Sequence, residues 1–318
     1  MQFRTRIPIL QNKTQINYQS KIIALGSCFV ENIGKKIDYY KFQNTVNPFG
    51  IIFNPISLEK VIVRSIQKDY FKEKDIFFHN DLWHCYEVHS ELSNPNKDFF
   101  LKQLNALIDD TNVQLKQATH CIITLGTSWV YQYNETKEIV ANCHKVPQKQ
   151  FLKQLLSIDE IEKSLKNIVF LVASVNPNCS FIFTVSPVRH IKDGFVENNV
   201  SKAHLISAIH NLLNTEHLKR NTNYFPSYEI VMDELRDYRF YAEDMLHPNQ
   251  VAIDYIWQRF KETVVSEIAF LTMDEVETIQ KALSHRPFNP NSSSHLKFIE
   301  NTQRKISNLQ AKFSFIQF

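Results

Sequence analysis

Three apolar runs limit what this chain can fold into. KIIALG (21–26), HCIITLG (120–126) and SFIFTVSP (180–187) are each long enough for one buried strand, and each stops abruptly at glycine or proline. Runs apolar on both faces belong to parallel sheets covered by helices on each side. The segments that follow them carry helical spacing instead. After the first run, Val30, Ile33, Ile37 and Tyr40 share a face; Leu205, Ala208, Ile209 and Leu212 do so after the third. Strand and helix therefore alternate, as parallel βαβ units require.

Taken in order, KFQNTVNPFG (41–50) reads as the second strand and residues 57–67 as a helix. DIFFHNDLWHCYEVHS (75–90) predicts a β-hairpin turning at Asn80-Asp81. Residues 96–118 predict a long helix, and residues 129–141 a second hairpin excursion. Ser157 and Glu160 form a capping box ahead of a helix with Ile161, Leu165, Ile168 and Val172 inward. A helix near 201–217, a fifth strand at YEIVMDE (228–234) and a helix at 249–270 follow. The expected fold is a three-layer α/β/α sandwich with a mostly parallel five-stranded sheet. Residues 1–270 form that domain. Residues 271–318 form a helical extension in which Phe298, Ile299, Ile306, Leu309 and Phe313 need cover from the domain or a partner.

Composition excludes several function classes. A net charge of +3 with both signs interspersed gives no nucleic-acid face. No segment has the length or apolarity of a membrane span or a signal peptide. The five cysteines are scattered without a C-x-x-C pair, which predicts free thiols in the cytoplasm. His84 and His89 differ by an odd number and would face opposite sides of one strand, so no metal site is predicted there. No cofactor is implied.

Two stretches carry the chemistry. Gly26-Ser27-Cys28 puts small nucleophiles at a strand-to-helix turn, where open α/β sheets keep their sites and the first helical N–H groups are free. That position lowers a thiol's pKa. In Asp244-Met245-Leu246-His247, ahead of an amphipathic helix, an acid and a histidine three apart converge if the loop is tight. Nucleophilic acyl transfer needs such a base and a carboxylate to orient it.

KIIALGSCFVENIG, NPFGIIFNP, TLGTSWVY, VANCHKVP, TVSPVRH and AEDMLHPN together resemble the GSCFA family of the SGNH/GDSL hydrolase-like clan. The resemblance spans roughly residues 20–265 and leaves the tail outside. It implies a flavodoxin-like fold and, from the clan, esterases, lipases and carbohydrate O-acyl hydrolases or transferases. Aligning glycines sets Cys28 at the clan's nucleophile; Ser27 needs a one-residue slip, and both stay candidates. Gly50 matches the clan's second oxyanion donor. Gly126-Thr127-Ser128-Trp129 stands where the clan has Gly-x-Asn-Asp, so Ser128, or Asn142 from the next loop, replaces the asparagine. Asp244 and His247 match without adjustment. Thr127, His144 and Arg189 are further candidates for substrate contact, Arg189 as a reader of an anionic group. The expected function is acyl transfer on a small-molecule or carbohydrate ester; the alternative is a ligand-binding protein that has lost turnover.

Overall fold

The structure, a computed structural model, describes residues 4–216, 218 and 221–318. Residue 217, the last of the helix expected at 201–217, and residues 1–3 of the expected domain lie outside the described residues. In chain order, β1 (Lys21–Gly26) leads through α1 (Cys28–Tyr39) to β2 (Gln43–Val46) and α2 (Pro55–Gln67). A hairpin of β3 (Phe77–His79) and β4 (Leu82–His84) precedes α3 (Lys97–Gln117) and β5 (His120–Leu125). Then come β6 (Trp129–Tyr133), β7 (Ile139–Val140), β8 (Phe151–Leu155), α4 (Ile158–Val175), β9 (Ser180–Val185) and α5 (Phe195–Leu213). The chain ends with β10 (Thr222–Tyr224), α6 (Ser227–Glu229), α7 (Gln250–Val264), α8 (Phe270–Ser284) and α9 (Ser293–Lys312).

The main sheet is wholly parallel, in the order β2-β1-β5-β9-β10. Alternate side chains of each strand feed two cores. Ile23, Leu25, Ile123 and Phe183 pack under α2, α3, α4 and α5. Ile22, Ala24, Ile122 and Ile182 pack under α1, α7, α8 and α9. This is the α/β/α sandwich that the apolar runs require. One cap, on α4, was expected from the sequence, and it forms. Ser157 and Glu160 cap α4 reciprocally, and the side chains of Asn54 and Asn249 accept amide N–H bonds at the starts of α2 and α7.

The fifth strand differs from expectation. It is the three-residue β10, and the segment 228–234 is helical: α6 runs into a π-helical turn at Ile230–Leu235. A short apolar, β-branched run does not distinguish a buried strand from a buried helix. Here Ser227 decides. Its hydroxyl donates to the Val185 carbonyl at 2.7 Å and pairs with Thr184 Oγ1 at 2.7 Å, turning the chain off the sheet. Ile230, Val231 and Leu235 then bury on one side of the turn. The hairpin at Asn80-Asp81 forms with both residues at positive φ, as its tight turn demands. The second excursion is larger than a hairpin: β8 joins it to make the three-stranded sheet β7-β6-β8. No helix among the described residues is long and apolar enough to cross a membrane.

Met273, Val276, Ile279, Ile306, Leu309 and Ile316 of the tail share one core with Ile33 of α1 and Ile256 of α7. Phe313 is partly buried against that core, whereas Phe298 and Ile299 remain exposed. Leu309→Ala is therefore expected to cost about 2–5 kcal/mol in urea denaturation, against less than about 0.5 for the exposed Leu296→Ala. Equal, small effects would mean that the tail does not pack on the domain.

Candidate functional site at the sheet's switch point

The chain leaves β1 toward β2 on one side and later enters β5 on the other, so a crevice opens beyond their carboxyl ends. Gly26 closes the floor of that crevice. Its φ is +136°, and a Cβ there would lie 2.1 Å from the Thr124 carbonyl oxygen, so no side chain fits. The Ser27 amide donates to that same carbonyl at 3.0 Å, and the Gly26 amide donates to Asn47 Oδ1 at 2.8 Å. Three strand ends are thus laced together at one turn.

Ser27 occupies the N-cap of α1, where serine normally bonds an amide of the first helical turn, yet its side chain makes no such bond. Its hydroxyl is buried without a partner. So are Asn47 Nδ2, whose own oxygen holds Gly26, and His190 Nε2. Gly126 lies among them: a Cβ there would stand 3.4 Å from both Ser27 Cβ and His190 Nε2 and 2.7 Å from Phe53 Cβ. Cys28, the first residue of α1, is half-buried. Its thiol pKa is raised, chiefly by burial and next by Glu31, although the Lys202 ammonium and the amides of Cys28 and Phe29 pull it down. The helix start acts in the expected direction, but desolvation outweighs it, correcting the expectation of a lowered thiol pKa.

Lys202 comes from α5 and is only 1% exposed. Its ammonium donates to the carbonyls of Gly126 at 2.6 Å and Ser186 at 2.7 Å, the chain ends just past β5 and β9. Burial lowers its pKa to about 7, opposed by Cys28. Burial, then the charges of Lys202 and His247, lower the His190 pKa to about 3, so this imidazole is neutral at pH 7.

The acid and histidine three apart do converge. Asp244 Oδ1 accepts the amides of Leu246 at 2.9 Å and His247 at 3.0 Å, while Oδ2 accepts His247 Nδ1–H at 2.6 Å. Those bonds, the amides of His247 and Leu246 before the imidazole, hold the Asp244 pKa down at about 2. With Nδ1 so engaged, the Nε2 lone pair is the basic position of His247. Met245 takes positive φ to close this turn. The loop is clamped at its base by Glu234 and Arg259, fully buried and bonded at 2.6 Å, and Asn249 Nδ2 donates to the Arg239 carbonyl at 2.6 Å.

Other sequence candidates fall elsewhere. The Gly50 amide donates to Asn47 O at 2.8 Å inside its own turn, and the glycine packs on His89, so its N–H is not a free oxyanion donor. Ser128 is wholly buried and its hydroxyl donates to Ser201 O at 3.1 Å; Thr127 Oγ1 pairs with Ser201 Oγ at 2.8 Å. Both residues tie the end of β5 to α5 instead of facing the crevice. Asn142 Oδ1 accepts the His144 amide at 2.8 Å, and His144 Nε2 bonds Cys85 O at 2.7 Å within the β3–β4 and β6–β8 excursions. Arg189 is engaged as a brace: its Nη1 donates to Met245 O at 3.2 Å, and the guanidinium stands over the Tyr238 and Tyr241 rings. Lys202 and Asn198, whose Oδ1 accepts the His190 amide at 2.8 Å, were not among the sequence candidates, but a signal for both exists. The buried stripe of α5 that holds Leu205 and Ala208 extends back through Lys202, Ser201 and Asn198, polar residues where core is expected.

The parallel sheet, its two helical layers and the switch-point crevice define an α/β/α sandwich protein with its candidate site at the carboxyl edge of the sheet. The GSCFA family profile matches residues 21–260, and the chain belongs to that family. The profile of the GSCFA domain protein's C-terminal domain matches residues 276–318, so the tail falls inside a family block that the motifs alone left out. Among solved structures, one provisionally described as a platelet activating factor from Streptococcus pneumonia aligns at 9% identity and TM-score 0.39, covering 78% of this chain and 85% of that one. One provisionally described as a GDSL-like lipase from Parabacteroides merdae aligns at 12% identity and TM-score 0.38, covering 81% and 99%. No curated protein matches the chain.

Because burial raises the Cys28 pKa, its iodoacetamide labelling at pH 7 is expected to be slower than that of free cysteine and to climb past pH 9. Lys202→Met removes a charge that favours the thiolate and is expected to slow labelling further. Faster labelling in Lys202→Met would show that the lysine does not act on the thiol.

Proposed function

We propose that this protein transfers an acyl group from a small-molecule or carbohydrate ester, with Cys28 as nucleophile. The observation that carries this reading is the Asp244–His247 pair, whose loop bonds the Arg189 amide through Leu246 O at 3.2 Å and whose imidazole charge acts on His190, one of three residues (with Ser27 and Asn47) that bury an unpaired polar atom. Buried polar atoms without partners are costly, and a site that meets its ligand there accounts for them. Cys28 is preferred to Ser27 because a carbonyl carbon must reach the nucleophile, and Ser27 is only 2% exposed whereas Cys28 is half-buried.

In the first step His247 Nε2 takes the thiol proton as sulfur attacks the ester carbonyl. Asp244 holds the ring and stabilises the imidazolium. The amides of Cys28 and Phe29, with Asn47 Nδ2, are the donors available to the oxyanion. The alkoxide leaves with the proton from His247, giving a thioester. Water or a second alcohol, deprotonated by His247, then releases the acyl group as an acid or a new ester. The half-buried free thiol suits a reducing cytoplasm, the compartment we assign. The engaged donors at Gly50 and Ser128 favour the second reading, a binding protein without turnover.

Turnover of p-nitrophenyl acetate separates the two. His247→Ala is expected to lower the rate by about 10²-fold or more, Cys28→Ala to abolish it, and Ser27→Ala to retain it. A wild-type rate no faster than His247→Ala would leave the binding protein as the function. Loss in Ser27→Ala with full activity in Cys28→Ala would make this a serine enzyme.

A further inference from the structure

We propose that the cleft between Phe53 and the three-stranded excursion β7-β6-β8 is a subsite for an apolar arm of the substrate, a short alkyl chain or one aromatic ring. This rests on the acyl-transfer reading of the adjoining crevice. The cleft encloses about 340 Å³. That is the lower end of the ~300–1,000 Å³ of small-molecule sites and suits one such group. Its walls include Val130, Val140, Val146 and Phe151, and no Asp, Glu, Lys, Arg or His among the described residues lines it.

Two polar side chains on its lining, Asn54 and Asn142, are turned to other tasks. Asn54 accepts the Ser57 amide at 2.9 Å and donates to Ser57 Oγ at 3.1 Å; Asn142 Oδ1 accepts the His144 amide at 2.8 Å. A charged group entering here would lose its water with no ion to pair with.

Phe53 joins the cleft to the crevice. Its carbonyl accepts the Gly126 amide at 2.8 Å, and its Cβ borders the same Gly126 Cα that Ser27 and His190 flank. Its ring centroid lies 6.1 Å from that of His190, and the same side chain lines the cleft. A substituent on a carbonyl held at Cys28 that passes Phe53 therefore enters an apolar space. The β6–β8 excursion, which the sandwich does not need, builds the opposite wall.

Cys143, half-buried in the wall, reports occupancy without any turnover. In wild type and in His247→Ala, hexanamide is expected to slow iodoacetamide labelling of Cys143, read by peptide mapping, while acetamide and the ω-amino analogue of hexanamide are not. Equal labelling with hexanamide and acetamide overturns the subsite. On the wild-type enzyme, a hexanoyl ester is expected to be turned over about ten-fold or more faster than the acetyl ester. That ratio is expected to fall to near one in Val140→Phe, or in Cys143→Phe if the first variant fails to fold. Equal turnover of the two esters by wild type overturns the subsite's part in specificity. No turnover of either, with hexanamide protection intact, overturns the acyl-transfer reading and leaves the cleft as a binding pocket.

Discussion

The contact on which the site depends is the approach of Gly26 to the Thr124 carbonyl. A bare Cα lets the end of β1 lie against β5 closely enough for the Ser27 amide to bond that carbonyl at 3.0 Å. Asn47 completes the lacing from β2, its amide donating to Ala24 O at 2.9 Å and its side chain accepting from Gly26. The result is a sharp, rigid exit from β1 into α1. Ser27 and Cys28 are held on that exit by backbone bonds of the sheet rather than by their own side-chain contacts.

Electrostatics in the crevice follow from burial more than from any single charge. Desolvation raises the Cys28 thiol, lowers Lys202 to about 7 and lowers His190 to about 3. The helix start and Lys202 favour a thiolate but do not overcome that penalty. Asp244, exposed and bonded by two amides and the imidazole, stays ionised at neutral pH and keeps His247 Nε2 as the basic nitrogen. Lys202 also has a structural task, since its ammonium joins the carbonyl ends past β5 and β9 across the crevice floor. One lysine thereby links the geometry of the sheet's edge to the charge state of the Cys28 thiol.

Much of this was legible in the sequence because each signal had one physical meaning. Apolar runs ending in glycine or proline give buried parallel strands, and the Ser157–Glu160 box gives a capped helix. The spacing of Asp244 and His247 works because Asp244 caps its own turn. The misreadings have causes too. Residues 228–234 are apolar and β-branched in either a strand or a helix, and Ser227 settles the choice through bonds to Thr184 and Val185 that no local pattern reveals. Gly50 and Ser128 carry suitable groups, but the Gly50 amide closes its own turn on Asn47, and Ser128 is engaged by Ser201, a partner read only in three dimensions. Tail and domain look separate in sequence because α8 and α9 bury their apolar residues against α1, far away in the chain, as well as against the neighbouring α7.

The central claim is that Cys28, at the exit of β1, carries the acyl group. The direct measurement is acid quenching of the protein during reaction with p-nitrophenyl butyrate, followed by intact mass and fragmentation of the peptide bearing Ser27 and Cys28. The account predicts a butyryl adduct on Cys28 that neutral hydroxylamine removes, as a thioester requires. A hydroxylamine-resistant adduct on Ser27, or turnover with no adduct on either residue, would contradict it.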